Sequence, residues 1–211
     1  MMPQRFQLLA LSCCCQLLFA TPGFAGDWTP LFNGKDLGGW HPVRQDEFVH
    51  GKGTVEDGVL ILHAGQPGSG LRLARKDFPK MNYEIELKAQ RIEGFDFFCG
   101  LNVPVSNTWI TLVVGGWDGE VLGLSNLDGL SAVENKYGQQ VPFKQRQWYT
   151  IRMRVEKGQI TVWLDDRKRI EAKTKGVQIG IRDSMRGLKP MGICSWLSRA
   201  GIKDLRVRRL E

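Results

Sequence analysis

The chain has 211 residues and a formal net charge of +7 at neutral pH, a length that a single β-sandwich domain commonly reaches. Its content of 42% hydrophobic and 24% charged residues is that of a globular protein and excludes a disordered chain. The basic residues are scattered over expected strands and turns, which favours a solvated sheet face over a polyanion site. Because the sequence carries no nucleic-acid motif, we expect no nucleic-acid partner.

Residues 1–25 differ in composition from the rest of the chain. Arg5 precedes the apolar run LLALSCCCQLLFA, and Gly23-Phe24-Ala25 then offers small residues for a cleavage site. This pattern predicts a signal peptide over residues 1–25, cleaved after Ala25, and a mature domain over residues 26–211. The run is shorter than the roughly 18 residues of a membrane span. We therefore expect a secreted or periplasmic protein with no membrane insertion after cleavage. Lipid attachment within CCC is a weaker alternative, because the preceding residues fit it poorly.

Several segments alternate hydrophobic and polar residues with a period of two, which is the pattern of half-buried antiparallel strands. Turn dipeptides such as Asp57-Gly58, Lys157-Gly158 and Asp165-Asp166 separate them. No segment keeps a helical period over three turns, so we expect an all-β chain that forms a single antiparallel β-sandwich. The expected strands are residues 54–55, 59–62, 83–89, 108–114, 120–124, 149–155, 160–164, 177–182, 191–197 and 202–210.

The expected mature domain keeps two cysteines, Cys99 and Cys194, each within an apolar run. Such runs predict buried thiols that behave as small hydrophobic side chains. A disulfide between them stays open as the less favoured alternative, since an exported protein can form one.

Four segments carry a resemblance to a known family. They are WTPLFNGKDLGGW at residues 28–40, GTVEDGVLIL at 53–62, QWYTIRMRVEKGQITVWLDDRKRIE at 147–171 and IKDLRVRRL at 202–210. In this order and spacing they resemble the DUF1080 family, which is associated with 3-keto-disaccharide hydrolase and 3-keto-glucoside lyase-hydratase activity. The resemblance implies a concanavalin A-like jelly-roll sandwich and an enzyme that acts on 3-keto-glycosides. The central segment departs from the commoner family pattern, so no active-site residue is transferred from that pattern.

The opening motif LFNGKDLGGW predicts a structural clasp rather than a catalytic loop. Leu31 and Phe32 are expected to begin a strand that Asn33-Gly34 turns. Trp28 and Trp40 are expected to be buried against the sheet, because buried aromatic residues usually belong to the core.

The stretch VVGGWDGEVLGLSNLDG, residues 113–129, has more glycine and acidic residues than two plain strands require. Glycines permit tight turns, so residues 115–119 could present the Trp117 ring beside the Asp118 carboxylate. Sugars suit that pairing, because their C–H groups pack on the ring while their hydroxyls bond the carboxylate. An ordinary Asp-Gly turn remains the open alternative. The candidate substrate-binding residues are Trp117, Asn126, Asn135 and Trp109.

The chemistry of a 3-keto sugar defines which groups a site would need. The ketone acidifies the proton on C2, so a base can remove it and the C1 substituent can leave by elimination. Candidate bases are Glu134, Asp118 and Asp128. Arg182 could stabilise the enolate oxygen, and His41 could act as an acid or a base.

A conventional glycosidase on this fold is not expected. Such enzymes need two carboxyls across the scissile bond, and the concanavalin-like pattern E-x-D-x-x-E is absent from the sequence. Glu84 and Glu86 are instead expected on a solvated sheet face. The sequence predicts no cofactor, although the Asp-Gly loops leave a divalent cation open as an oxygen-liganded alternative.

Two further functions stay open beside the enzyme. A non-catalytic carbohydrate-binding module would use the Trp117 surface without a titrating base, and a structural domain of the cell envelope would need neither. A carboxylate of perturbed pKa in a pocket beside Trp117 would favour the enzyme. The expected partner is a carbohydrate in the first two cases.

Overall fold

A computed structural model describes residues 26–44 and 52–211. The predicted signal peptide, its cleavage site and the alternative lipid-attachment cysteines lie outside these residues. Within the described part of the chain, no helix has the length and apolarity needed to span a membrane.

Two antiparallel sheets stack to form the domain. The eight-stranded sheet has the order β13-β12-β11-β6-β15-β4-β3, with β1 also paired to β15, and the seven-stranded sheet has the order β10-β9-β8-β7-β14-β5-β2. This arrangement confirms the all-β sandwich. The strands are β1 Thr29–Pro30, β2 Trp40–Pro42, β3 Gly53–Glu56, β4 Val59–Leu62, β5 Gly68–Leu73, β6 Tyr83–Gly94, β7 Cys99–Val105, β8 Thr108–Gly116, β9 Val121–Ser125, β10 Gln139–Gln140, β11 Tyr149–Glu156, β12 Gln159–Leu164, β13 Arg167–Lys173, β14 Gly192–Trp196 and β15 Ser198–Arg209.

The core lies between the two sheets and follows from the period-two pattern. On β6 and β11, Ile85 pairs with Met153 and Leu87 pairs with Ile151, and all four side chains are fully buried. Each side chain of this size contributes about 1.5–3 kcal/mol when it leaves water. The facing sheet supplies a matching inner row from β7, β8 and β9, so burial fixes the register of both sheets.

The predicted hairpin at Asp57-Gly58 is confirmed. Its residues have φ of +48° and +79° and join β3 to β4, as a two-residue hairpin turn with two positive φ values requires. Lys157-Gly158 and Asp165-Asp166 likewise join β11 to β12 and β12 to β13.

The opening motif forms the expected clasp, but in a different way. Leu31 and Phe32 follow β1 instead of beginning a strand, and both are buried. Trp40 is buried as predicted, and its indole Nε1 donates to the carbonyl of Leu31 at 2.9 Å. The burial prediction for Trp28 is wrong. Its ring is half-buried under the guanidinium of Arg206, because it lies on the outer face of the eight-stranded sheet.

The strand predicted over residues 177–182 is also absent. This segment makes only an isolated bridge, between Ile179 and Leu127. Gly180 exchanges both backbone hydrogen bonds with Asn126, at 3.0 and 3.1 Å. The segment therefore pairs with the irregular loop that follows β9. Its apolar residues are packed against the domain, although the segment belongs to neither sheet.

The two cysteines are free and buried, so the disulfide alternative is wrong. Cys194 on β14 pairs with Gly100 on β7, which leaves Cys99 one residue out of register. Successive side chains of a strand point to opposite faces, so Cys99 joins the core between the sheets and Cys194 packs on the other face. Burial raises the pKa of Cys99 to about 12 and also raises that of Cys194.

Candidate functional site

The outer face of the seven-stranded sheet is covered in the region of β8, β9 and β14. A 3₁₀ helix, Asp183–Leu188, lays Met185 and Leu188 on this face. Gly192 makes this close packing possible, because a Cβ there would lie 2.7 Å from the Leu188 Cβ. The smaller apolar cluster formed in this way, called the outer cluster below, comprises Val43, Phe97, Val113, Val121, Ala132, Met185, Leu188 and Cys194, with Trp117, Ile181 and Trp196 packed against it.

A cavity of about 190 Å³ opens beside the outer cluster. Its walls combine aromatic rings with a few polar groups, which is the usual make-up of a ligand site. The lining residues are Asp96, Phe97, Thr111, Val113, Trp117, Ser125, Arg182, Ser184, Met185 and Trp196.

One wall comes from the turn between β8 and β9, which the sequence singled out. Trp117 and Asp118 have φ of +45° and +63°, and the N–H of Glu120 donates to the Gly116 carbonyl at 3.1 Å. Gly119 follows with φ of +87°, so three successive residues have a left-handed conformation, and the bond from Glu120 to Gly116 closes the turn across them. A left-handed conformation is uncommon for a bulky residue such as tryptophan, yet it turns the half-buried Trp117 ring onto the cavity and leaves Asp118 exposed at the tip.

Asp96 faces the same cavity from the loop between β6 and β7. The backbone N–H groups of Phe97 and Trp117 donate to its carboxylate, the first at 2.6 Å. Burial raises the pKa of Asp96 and the Asp118 carboxylate adds to the rise, whereas the two N–H groups and Arg91 act against it. The net pKa lies above the ordinary value of 3.8. Asp96 is therefore a stronger base than a solvated aspartate, and it sits beside Trp117.

Arg91 on β6 fixes the relative position of these two walls. Its Nη1 donates to the Gly119 carbonyl at 3.2 Å, and its Nη2 donates to the Phe143 carbonyl at 2.8 Å. A Cβ at Gly119 would lie 2.8 Å from the Phe95 carbonyl oxygen and 2.4 Å from Nη1, and φ there is +87°, so the turn needs glycine at that point. Ser198 anchors the Asp96 loop from the other side, since its Oγ donates to the Asp96 carbonyl at 2.8 Å.

The floor of the cavity is polar. Ser125 pairs with Thr111, and Thr111 pairs with Asn102, in one row across β9, β8 and β7. All three are almost fully buried. The Thr111 hydroxyl donates to the side-chain Oδ1 of Asn102 at 3.2 Å, and the Ser125 hydroxyl donates to the side-chain Oδ1 of Asn126 at 2.6 Å. Asn126, a predicted substrate residue, thus adjoins the floor although it does not itself line the cavity.

Arg182 lines the cavity as an exposed residue just before the 3₁₀ helix. Glu134 lies near it but outside the lining. The Ser131 hydroxyl and backbone N–H lower the pKa of Glu134, and Arg182 lowers it further. Oε2 of Glu134 accepts both of these hydrogen bonds from its own loop, so Glu134 is a weaker base than an ordinary glutamate.

Two other predicted residues hold loops in place. The Asp128 carboxylate accepts from the Gln178 N–H at 2.7 Å, which ties the loop after β9 to the segment before the 3₁₀ helix. Asn135 is buried, and its Nδ2 donates to the carbonyls of Leu124 and Ser131 at 2.8 and 2.7 Å.

The last two predicted residues lie away from the cavity. His41 is exposed on β2 opposite Arg72. Trp109 is half-buried on β8, where its Nε1 donates to the Pro190 carbonyl at 2.7 Å and Lys189 lies 4.4 Å from its ring. It braces the chain that follows the 3₁₀ helix.

Eight lining residues were not among the predicted site residues. They are Asp96, Phe97, Thr111, Val113, Ser125, Ser184, Met185 and Trp196. An available signal was the sequence GFDFF at residues 94–98, where a single aspartate stands between phenylalanines. For residues 26–44 and 52–211, no group of three or more His, Cys, Asp or Glu side chains is placed to hold a metal ion.

The fold is shared with carbohydrate-related proteins of low sequence identity. A candidate glycosyl hydrolase from Parabacteroides distasonis is 17% identical, with a TM-score of 0.52 over 88% of this chain and 94% of its own. The carbohydrate-binding module CBM66 from Bacillus subtilis is 13% identical, with a TM-score of 0.55 over 81% and 95%. The lumenal domain of VIP36, solved with Ca²⁺ and Man3GlcNAc, is 10% identical, with a TM-score of 0.57 over 86% and 88%. These likenesses confirm the lectin-type jelly-roll sandwich.

A family model described as a 3-keto-alpha-glucoside-1,2-lyase-like domain matches residues 27–194. The chain therefore belongs to this family, and the resemblance found in the sequence is confirmed. No curated protein matches the chain.

Proposed function

We propose that this protein is an exported carbohydrate-active lyase or hydrolase that cleaves 3-keto-glycosides, with Asp96 as its base. The observation that carries the proposal is a half-buried carboxylate of raised pKa in a cavity beside Trp117, within a chain of the 3-keto-glucoside lyase-like family. A raised pKa brings a carboxylate closer to the working pH, where general-base catalysis is most efficient.

The proposed reaction begins with the removal of the C2 proton by the Asp96 carboxylate. The C2–H electron pair forms a C1–C2 double bond, the C1–O bond breaks, and the aglycone leaves with the C1–O electron pair and takes up a proton. Arg182, at the cavity wall, offsets the negative charge that develops on the ketone oxygen. Addition of water across the double bond, with hydroxyl at C1 and hydrogen at C2, then completes a net hydrolysis.

The remaining lining groups suit a sugar ring. Trp117 and Trp196 offer apolar faces, and Thr111, Ser125 and Ser184 offer hydroxyl groups. Asp118 lies close enough to Asp96 to raise its pKa, so it is the proposed acid–base partner.

A lectin-like function is the second candidate, favoured by the aromatic lining and by a fold shared with carbohydrate-binding domains. It would use the same rings without proton transfer. The enzyme would turn over a 3-keto-disaccharide with Asp96 as its base, whereas the lectin would only bind the sugar.

The test is turnover of a 3-keto-disaccharide and of its unoxidised parent by the purified protein. Asp96→Asn should lower kcat by about 10²–10⁴, the usual contribution of a general base. Asp166→Asn is the matched control, since Asp166 is an exposed turn residue outside the cavity. Asp118→Asn and Glu134→Gln should have smaller effects.

Turnover that survives in Asp96→Asn but is lost in Glu134→Gln would place the base on the loop after β9 and contradict the assignment. Binding that depends on Trp117 without any turnover would establish the lectin-like function instead.

A further inference from the structure

A second cluster of charged and aromatic side chains lies on the outer face of the eight-stranded sheet, the side of the molecule opposite the cavity. We call it the arginine–tryptophan ladder. Its members come from β12, β11, β6, β15 and the residue before β1, and they form rows across neighbouring strands. They are Trp163, Arg152, Arg154, Glu86, Glu84, Arg206, Arg208 and Trp28.

Strand register places these residues side by side. Arg152 pairs with Trp163 on β12 and with Glu86 on β6, and Glu86 pairs with Arg206 on β15. In the neighbouring row, Glu84 pairs with Arg154 on β11 and with Arg208 on β15. Trp163 ends the first row on β12, and Trp28 lies beside the other end of the ladder, next to β15.

Each tryptophan at the ends lies beneath two guanidinium groups. Arg152 and Arg154 are 4.3 and 5.5 Å from the Trp163 ring centre. Arg206 and Arg208 are 4.7 and 4.6 Å from that of Trp28. These are cation–π distances, so the rings orient the guanidinium groups without neutralising them.

The carboxylates of the ladder leave positive charge uncompensated. Arg154 donates to Glu84 at 2.7 Å, Arg208 donates to it as well, and Arg152 lies 3.6 Å away. Glu86 pairs with Arg206, and Glu156 at the end of β11 lies 4.0 Å from Arg154. The four arginines thus face Glu84, Glu86 and Glu156, which leaves a net positive charge, because arginine stays ionised at any physiological pH.

The guanidinium groups are also accessible to a ligand. The side chains of Arg206 and Arg154 are 43% and 33% exposed, whereas that of Glu84 is 0% exposed. Negative charge is therefore held inside the face and positive charge is turned outwards. Adjacent strands are about 4.8 Å apart, so the ladder spans on the order of 20 Å from β12 to β1. That width exceeds a single small anion and suits several units of a polymer.

We propose that the arginine–tryptophan ladder is a binding face for an acidic polysaccharide. Carboxylate or sulfate groups of the polymer would take bidentate hydrogen bonds from the guanidinium forks, and sugar rings would pack on the exposed parts of Trp28 and Trp163. Because the two outer faces of a sandwich point away from each other, a polymer held by the ladder leaves the cavity open. The face would thus retain the protein on an anionic glycan, whatever reaction the cavity performs.

The experiment measures binding of the purified protein to polygalacturonate, with dextran as the neutral polymer. The ladder variant is Arg152→Gln with Arg206→Gln. The matched control is Arg44→Gln with Arg186→Gln, which removes the same charge from exposed arginines that lie outside the ladder. The proposal predicts about a tenfold or larger loss of affinity for the ladder variant and less than about a threefold loss for the control. Wild-type protein should not bind dextran.

A third variant, Trp163→Leu, changes no charge and should also weaken binding to polygalacturonate. Thermal unfolding identifies any variant that has lost its fold, and only folded variants are compared. Equal losses in the ladder and control variants would mean that net charge alone drives binding, and would overturn the proposal. It would also be overturned by ladder-dependent binding to vesicles of phosphatidylcholine and phosphatidylglycerol without binding to polygalacturonate. Absence of polygalacturonate binding by the wild type would overturn it as well.

Discussion

Replacing Glu84 by glutamine should destabilise the protein far more than the same change at Glu86, two residues away on the same sheet face. The Glu84 side chain is 0% exposed and accepts from Arg154 and Arg208, each with an Nε at 2.7 Å, with Arg152 at 3.6 Å. Glutamine keeps the shape but removes the charge that holds these three cations together. The Glu86 side chain is 18% exposed and has Arg206 as its ion-pair partner.

The magnitude follows from the buried ion network. Removing one partner of a buried ion pair typically costs about 3–5 kcal/mol, because the other charge is left uncompensated. We take about 3 kcal/mol for Glu84→Gln, since glutamine retains one oxygen acceptor and the arginines reach solvent. At roughly 2–4 °C per kcal/mol for a chain of this size, Tm should fall by about 6–12 °C. Glu86→Gln should cost at most about 1 kcal/mol, as for an exposed pair.

The pH dependence provides an independent check on the same reasoning. Burial would raise the pKa of Glu84, but the hydrogen bonds from Arg154 and Arg208 outweigh it and lower the pKa below the ordinary 4.5. A lowered folded-state pKa contributes stability above the unfolded-state value, and this stability is lost as pH falls through the folded-state value. The difference in unfolding free energy between wild type and Glu84→Gln should therefore be largest at neutral pH and decrease below about pH 4.5.

Chemical denaturation of both variants, at neutral and acidic pH, measures these differences. Glu84→Gln and Glu86→Gln with equal costs at neutral pH would refute the buried network. A gap that stayed constant down to low pH would refute the assignment of the effect to the ionised carboxylate.

Three further predictions concern the cavity and the thiols. The limb of the kcat/KM profile on the acid side should have its midpoint above pH 3.8, because Asp96 must be ionised and its pKa is raised; a midpoint at or below the ordinary value would contradict a buried base. Trp117→Gly should be more stable than Trp117→Ala by about 1 kcal/mol in denaturant, since only glycine adopts the left-handed φ of +45° without strain; equal stabilities would show that the turn relaxes. Cys99 and Cys194 should resist a thiol reagent in the native protein and react after unfolding, because both are buried with raised pKa; rapid native labelling would show that the sheet opens there.

Much of the fold could be predicted because burial imposes a period of two on each strand. The alternation in residues 149–155 predicted β11, and the turn dipeptides located its hairpins. At residues 177–182 the same pattern predicted a strand that is absent, because the apolar residues there pack without pairing to a neighbouring strand. The outward position of Trp28 also lay beyond the sequence, since it depends on which strand β1 pairs with.

The site was harder to predict than the fold. Two of the predicted site residues, Trp117 and Arg182, line the cavity, and the composition of the turn indicated the first of them. Asp96 was missed because its burial and raised pKa arise only when the loop after β6 meets the turn after β8. Glu134 and Asp128 have the right chemistry in sequence, yet local hydrogen bonds to Ser131 and Gln178 commit them to their loops.

Deuterium incorporation is the most direct test of whether Asp96 removes the C2 proton of a 3-keto-glycoside. The purified protein would turn over a 3-keto-disaccharide in D₂O, and NMR would report the label at C2 of the released keto-sugar against an enzyme-free control. Deuterium is expected at C2 with each turnover by the wild type, and both turnover and enzyme-dependent exchange should fall by about 10²–10⁴ in Asp96→Asn. Turnover that leaves C2 unlabelled beyond the control would mean direct cleavage of the glycosidic bond and would contradict the account.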